Sequence, residues 1–169
     1  MNNHLSWLNS KLEARESKNL NYGVFARKNV VKGERLAVFG GHVMDVKDEP
    51  DGDHTLQIAD DLVIGCPSAT TSEPAEFFNH SCDPNAGLRG QIYLVALRDI
   101  NAEEQICFDY AMVLNLASYR FTCCCGSSNC RNVVTGEDWK RADLQERYDG
   151  HFSWYLQEKI NQLRASCER

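Results

Sequence analysis

The sequence predicts a mainly β protein of the α+β class that ends in helices. Between Tyr22 and Met112, short apolar runs rich in β-branched and aromatic residues alternate with Gly, Pro and Asp, which is typical of strands joined by turns. The segment HFSWYLQEKINQLR then changes to a helical period. Its apolar residues fall on one predicted face, namely Phe152, Leu156, Ile160 and Leu163.

The individual elements follow from these patterns in chain order. Residues 1–17 are expected to form a short helix or a loosely held arm. The strands are expected at YGVFA, RLAVF, GGHVM, the hairpin TLQIADDLVIG, QIYLVALRDI and EEQICFDYAM. The hairpin should turn at Asp60 and Asp61, and the acidic segment DVKDEPDGDH before it should be an exposed loop.

Length and charge narrow the classes of function. A chain of 169 residues suits one domain with a real core. Its net charge of −6 argues against sequence-independent binding to nucleic acid through a basic surface, and it favours a basic partner. The N-terminus lacks the apolar core of a secretory signal, and no apolar run could span a membrane. We therefore expect an intracellular protein, cytoplasmic if microbial and nuclear if eukaryotic or targeted to a host cell.

Eight cysteines in a reducing compartment indicate metal binding more than disulfides. Cys123, Cys125 and Cys130 have the spacing C-x-C-x4-C, which suits Zn²⁺ in a tetrahedral site. Cys124 could supply a fourth ligand, but neighbouring residues point in different directions, so Cys82 is the better candidate. The alternatives are unligated thiols or a redox sensor. The remaining cysteines have no assigned role and are expected to be small buried residues: Cys66, Cys107, Cys124 and Cys167.

Cys82 lies in the stretch EFFNHSCDPNAG, a polar turn that follows two aromatic residues. This turn is one of four ordered segments that resemble the SET-domain protein-lysine methyltransferases with a post-SET zinc motif. The others are NYGVFA with VVKGERL, the segment EEQICFDY, and CCCGSSNCRN. The resemblance covers roughly residues 17–135. It departs from the family pattern at Asn21 and Glu103, where glycines are usual, and in GCPSAT, which lacks an Asp often present.

The resemblance implies small curved β-sheets around a pseudoknot-like threading that brings the NHSCDPN turn beside the FDY segment. It implies one structural zinc held by Cys82, Cys123, Cys125 and Cys130. It also implies one division of the chain: an N-terminal arm or helix at 1–16, a SET domain at 17–118, a post-SET zinc motif at 119–135 and a helical extension at 136–169.

The implied activity is transfer of methyl from S-adenosylmethionine to lysine in a protein substrate with an accessible, perhaps histone-like, basic tail. By resemblance, Tyr110 is catalytic, and Phe108 and His54 line the substrate channel. The implied cofactor-binding residues are Tyr22, Gly23, Val24, Asn79, His80 and Tyr110. No direct contact with nucleic acid and no membrane partner are expected. The alternative is an inactive or weakly active zinc-stabilised module that binds a basic peptide.

Overall fold

A computed structural model of the chain describes residues 5–17, 22–48, 55–67 and 73–167. In chain order, the strands are β1 Trp7–Leu8, β2 Leu12–Glu16, β3 Tyr22–Ala26, β4 Arg35–Val38, β5 His42–Asp45, β6 Thr55–Gln57, β7 Leu62–Gly65, β8 Asn79–His80, β9 Ala86–Arg89, β10 Tyr93–Ala96, β11 Gln105–Phe108, β12 Arg120–Thr122 and β13 Val133–Thr135. The helices are four short 3-10 turns, Val46–Asp48, Pro74–Phe77, Tyr110–Met112 and Asp138–Lys140, and two α-helices, α1 Ala142–Arg147 and α2 Trp154–Cys167.

These strands form three sheets within the described ranges. The largest runs in the order β1-β4-β10-β9-β11-β3-β2, with β8 paired to β11 beside this path. A second sheet has the order β5-β7-β6, and β12 pairs with β13 in a two-stranded ribbon. The predicted fold class, small β-sheets with helices at the C-terminal end, is confirmed.

Strand β11 joins segments that are far apart in sequence. It pairs antiparallel with β3 on one side. On the other side it runs parallel to β8, with Cys107 opposite Asn79 and Phe108 opposite His80. The buried Asn85 strengthens this junction, because its side chain accepts a hydrogen bond from the Cys107 amide and donates to the Gln105 carbonyl. The NHSCDPN turn therefore lies beside the FDY segment, as the resemblance implied.

The C-terminal segment packs into the same core as the large sheet. Its buried residues in that core are Trp139, Leu144, Tyr148, Phe152, Leu156 and Ile160. The predicted helical face was wrong at both ends. Phe152 precedes α2, and Leu163 is 43% exposed because the last turns of α2, residues 161–166, face solvent. None of the helices in the described residues is long and apolar enough to cross a membrane.

The expectation of a helix or loose arm at the N-terminus was wrong for the residues that can be described. β1 pairs antiparallel with β4, and β2 pairs with β3 along its whole length. The buried Glu73 also fixes this region, because its carboxylate accepts hydrogen bonds from the amides of Leu5 and Ser6 and from the Ser6 hydroxyl. Pairing with the sheet thus overrides the helix propensity of Leu12–Glu16.

Glu103 has φ of 72° in the turn before β11. This is the position at which the family resemblance led us to expect glycine, and a left-handed conformation costs a non-glycine residue about 1 kcal/mol. The turn is held by its neighbours: the Glu103 amide donates to the Ala26 carbonyl, and the Glu103 carboxylate accepts from Arg15. The left-handed backbone conformation that favours glycine is therefore kept here with a glutamate.

We expect Glu73→Gln to destabilise the protein by about 1–3 kcal/mol, because it weakens the buried acceptor of the hydrogen bonds from Leu5 and Ser6. Urea unfolding would measure the change. The matched control is Glu16→Gln, an exposed glutamate of the same N-terminal region, which should shift the unfolding free energy by less than about 0.5 kcal/mol. Equal effects of the two substitutions would contradict a fixing role for Glu73.

Candidate active site and metal centre

Three strand ends meet at one place in the fold. β3 contributes Tyr22 to Val24, β8 contributes Asn79 and His80, and the chain after β11 contributes Tyr110. Asn79 ties two of them directly, since its Nδ2 donates a 2.8 Å hydrogen bond to the Tyr22 carbonyl. Val24 is fully buried, whereas Tyr22 is exposed and lies with its ring centroid 5.1 Å from that of Phe77. The residues expected at a cofactor site are thus brought together.

Gly23 lies close to the ends of two flexible side chains, which would have to move if residue 23 carried a side chain. A Cβ at this position would lie 2.3 Å from Gln105 Nε2 and 3.0 Å from Asn79 Nδ2. Gln105 Nε2 is itself buried and has no hydrogen-bond partner among the described residues. Gln105, whose side chain lies next to Gly23, was not singled out from the sequence. The signal was a polar residue that opens the otherwise apolar strand QICF.

Tyr110 lies at the start of a 3-10 turn within a group of aromatic rings. Its hydroxyl donates to the Phe78 carbonyl at 3.1 Å. Its ring centroid lies 5.1 Å from Phe108, 5.3 Å from His80 and 6.1 Å from Phe121. Phe108 is buried and also faces Phe39 at 6.2 Å. Such rings form an apolar wall whose faces attract alkylammonium groups.

Phe121 was not singled out from the sequence. It lies on β12, just before the cysteines. Its ring packs edge-on against His80 and at a tilt against Tyr110. The alternation of Tyr119 and Phe121 ahead of the cysteine segment was the available signal, because residues two apart on a strand share a face. Their centroids are 5.9 Å apart. His54, predicted to line the channel, lies outside the described residues.

His80 connects Tyr110 to the cysteines as a neutral imidazole. Burial lowers the pKa of His80 to about 4, although the nearby Asp109 carboxylate acts in the opposite direction. Its Nδ1 accepts a hydrogen bond from the Tyr110 amide at 3.2 Å, so the proton of the neutral ring is on Nε2. Nε2 then donates to Cys82 Sγ at 3.3 Å. The 3.6 Å approach of Nδ1 to Asp109 is therefore not an ion pair at neutral pH.

Four thiols form the cysteine cluster, defined as Cys82, Cys123, Cys125 and Cys130. Their sulfur atoms all lie within 4.8 Å of one another, and the Cys82 and Cys123 sulfurs are 3.9 Å apart. A tetrahedral zinc site with Zn–S bonds of about 2.3 Å has sulfurs about 3.8 Å apart. The cluster therefore has the donor set and spacing that structural zinc requires.

The chemistry of the cluster also favours a bound cation. Burial raises the pKa of the Cys82 thiol, so a thiolate there is costly without a positive charge nearby. Backbone donors already surround the sulfurs: the Arg131 amide donates to Cys82 Sγ at 3.4 Å. All four positions of a zinc ion would be filled by sulfur, so these residues could hold a structural metal with no open site for catalysis.

None of the other cysteines whose side chains are described is fully buried, contrary to the expectation. Cys124 is exposed, because it alternates with Cys123 and Cys125 along an extended chain and so points away from the cluster. Cys66 and Cys107 are half-buried. The side chain of Cys167 lies outside the described part of the structure.

Comparison with known sequences decides the family. The family model described as the SET domain matches residues 21–111, more than half of the chain. The chain belongs to the SET-domain family. This match includes β3, the NHSCDPN turn and Tyr110, and ends before the cysteines of the C-terminal region.

Relatives of this SET-domain chain include much longer proteins. It is 29% identical over 143 residues to the "Variant-silencing SET domain-containing protein" of Plasmodium falciparum, which covers 72% of this chain and 6% of that protein. It is 30% identical over 130 residues to "Histone-lysine N-methyltransferase 2B" of Homo sapiens, covering 66% of this chain and 5% of the relative. The chain thus corresponds to a small part of each.

Solved structures share the fold. The crystal structure of KRYPTONITE in complex with mCHG DNA and SAH has a TM-score of 0.61 at 23% identity, covering 75% of this chain and 29% of that chain. A second KRYPTONITE structure, in complex with mCHH DNA, an H3(1-15) peptide and SAH, has a TM-score of 0.60 at 23% identity and covers 75% and 30%. At 23% identity, this structural similarity shows that the chain shares the fold of these two structures.

We predict one zinc per chain, and loss of that zinc on Cys123→Ser together with a lower thermal midpoint, because structural zinc contributes directly to folding. The matched control is Cys124→Ser, the exposed neighbour in the same loop, which should keep one zinc. Elemental analysis of untagged protein would measure the ratio. A wild type without bound metal, or equal zinc in both variants, would contradict the site.

Proposed function

We propose that this chain transfers methyl groups from S-adenosylmethionine to the side-chain amine of lysine in a protein substrate. The observation that carries the proposal is the meeting of Tyr22–Val24, Asn79–His80 and Phe108–Tyr110 through the parallel pairing of β8 with β11. Membership of the SET-domain family supports it. So do relatives named histone-lysine methyltransferases and structural neighbours solved with SAH.

The cofactor would lie against the ends of β3 and β8. We assign its contacts to Tyr22, Gly23, Val24, Asn79, His80 and Tyr110. Without a side chain at position 23, the backbone can approach the cofactor closely. A Cβ there would meet the ends of the Gln105 and Asn79 side chains. Asn79 is already oriented by its hydrogen bond to Tyr22, so little ordering cost remains when a ligand binds.

S-adenosylmethionine supplies a sulfonium methyl, which moves to the lysine nitrogen as the C–N bond forms, the S–C bond breaks with its electrons going to sulfur, and the nitrogen then loses a proton. The chain has to align the two reactants, exclude water and favour a neutral amine. Tyr110 is placed for alignment, with its hydroxyl next to the Phe78 carbonyl. The rings of Phe108 and Phe121 provide the apolar surroundings.

The substrate we propose is a lysine in a basic, histone-like segment. Phe108 and His54 are the proposed channel residues. The net charge of −6 favours a basic partner over nucleic acid, and we propose no direct contact with DNA or RNA. A cluster of unoxidised thiols suits a reducing compartment, either nuclear or cytoplasmic according to where that substrate occurs.

We also propose that the chain works as a SET domain at 17–118 followed by a post-SET zinc motif at 119–135. The zinc motif contributes Phe121 to the ring group around Tyr110, so its folding would help to form the lysine channel. Within the N-terminal segment 1–16, β1 and β2 are the two edge strands of the large sheet, and the buried residues of the extension 136–169 pack into the same core.

We expect Tyr110→Phe to keep the fold and most cofactor affinity but to lose methyl transfer by about 100-fold or more, because only the aligning hydroxyl is removed. Single-turnover transfer to a mapped lysine and calorimetric cofactor binding would measure the two effects. The matched control is Tyr93→Phe, the same change on an exposed strand residue, which should be as active as the wild type. Undiminished transfer by Tyr110→Phe would remove Tyr110 from the catalytic role.

The wild type should add more than one methyl group to its lysine, and Phe108→Tyr should shift the products toward monomethyl-lysine. A phenol at position 108 can hold a water that hydrogen-bonds the amine and fills the space of a further methyl, whereas a phenyl ring cannot. Mass spectrometry of the modified peptide would measure the number of methyl groups. The matched control is Phe25→Tyr on β3, which adds the same hydroxyl at another position. Only monomethylation by the wild type, with cofactor in excess, would show that Phe108 does not control the product.

A further inference from the structure

A buried carboxylate lies directly beside the proposed catalytic residue. Asp109 is completely buried and precedes Tyr110 in the chain. Its Oδ1 accepts a hydrogen bond from Arg131 Nη2 at 2.7 Å, and its Oδ2 accepts one from Arg131 Nη1. The Tyr148 hydroxyl donates to Oδ2 at 3.0 Å. The donors therefore come from the segment after Cys130 and from Tyr148, which follows α1, both beyond the part of the chain that matches the family.

One buried guanidinium contacts two carboxylates in this cluster. Arg131 is itself buried and also donates from Nε to Asp138 at 2.8 Å. Burial alone would lower the pKa of the Arg131 guanidinium, but its hydrogen bonds to Asp109 raise it, so the side chain stays charged. Burial raises the pKa of Tyr148, which keeps its hydroxyl protonated and able to donate. Asp109 thus has both a charged and a neutral partner.

The same carboxylate shapes the turn that carries the Tyr110 ring. Asp109 Oδ1 accepts the Ala111 amide at 3.0 Å and so caps the 3-10 turn Tyr110–Met112. The Tyr110 amide is held separately by His80. If the Asp109 carboxylate turned away from Ala111, the cap would be lost, and the backbone dihedrals that set the direction of the Tyr110 side chain would be less constrained.

The C-terminal segment also contacts the cysteine cluster from this side. The Tyr148 hydroxyl lies 3.4 Å from the Cys82 carbonyl, and Arg147 donates to the same carbonyl at 3.4 Å. Arg131 donates its backbone amide to Cys82 Sγ. The region after Cys130 therefore reaches both the metal centre and the turn of Tyr110.

We propose that Arg131 and Tyr148 are positioning residues that act on Tyr110 through Asp109, so that the C-terminal segment completes the active site. This inference rests on the proposed methyl transfer. Neither side chain touches the reacting atoms; each fixes the carboxylate that caps the catalytic turn. A structural role alone would lower stability, whereas a positioning role also changes turnover at constant cofactor affinity.

Tyr148→Phe tests the proposal, since it removes one hydroxyl and keeps the packed ring. We expect kcat to fall about five- to twenty-fold, with the KM for cofactor within about two-fold of the wild type. Amide hydrogen exchange at Ala111 should accelerate by about five-fold or more as the cap loosens. The matched control is Ile160→Val, a buried apolar change in α2 that lowers stability without touching Asp109. It should leave kcat unchanged and should speed exchange at Ala111 only as much as it speeds exchange at other core amides, because exchange through global unfolding follows stability.

Arg131→Lys provides a second test, because it keeps the charge but loses the two-pronged contact with Asp109. With its zinc content verified, it should show the same loss in kcat and the same faster exchange at Ala111. The proposal is overturned if Tyr148→Phe matches Ile160→Val in both readouts. If the wild type methylates no lysine, the proposed function fails, and the exchange at Ala111 alone decides whether Tyr148 positions this turn.

Discussion

The buried carboxylate of Asp109 is the constraint around which the catalytic region is arranged. A charge without contact with water has to be paired, and Arg131 pairs it in a two-pronged geometry from a segment that follows the cysteines. Removing one partner of such a pair costs about 3–5 kcal/mol, because the other charge remains buried. The chain can satisfy Asp109 only when β11, the cysteine segment and α1 are assembled together, so folding of the site and folding of the C-terminal region are linked.

The cysteine cluster makes a second link between the same segments. Cys82 comes from the turn after β8, whereas its three partners come from the loop between β12 and β13. A metal there would fix the loop between β12 and β13. Since β12 carries Phe121, the metal would also hold the Phe121 ring beside Tyr110. His80 lies between the two links, with one ring nitrogen on Cys82 and the other on the Tyr110 amide. Metal binding and the geometry of the aromatic site are thereby coupled through one neutral side chain.

Sequence patterns identified the long strands, α2 and the four cysteines, because periodicity and ligand spacing are local signals. They missed Leu12–Glu16, whose residues favour helix until pairing with β3 decides their conformation. They could not reveal the two-residue strand Asn79–His80, which is too short for any period. Tyr110 was found through the family resemblance alone. The contacts of Asp109 with Arg131 and Tyr148 join distant positions, and nothing local at those residues indicates the pairing.

We propose that this fold delivers a methyl group to the side-chain nitrogen of lysine. The most direct measurement is incubation of the zinc-loaded protein with S-adenosylmethionine carrying an isotopically labelled methyl and with fractionated proteins, followed by mass-spectrometric mapping of the label. The account predicts label on lysine side chains and on no other residue type. Label on arginine or cysteine, or no label from protein that binds the cofactor, would contradict it.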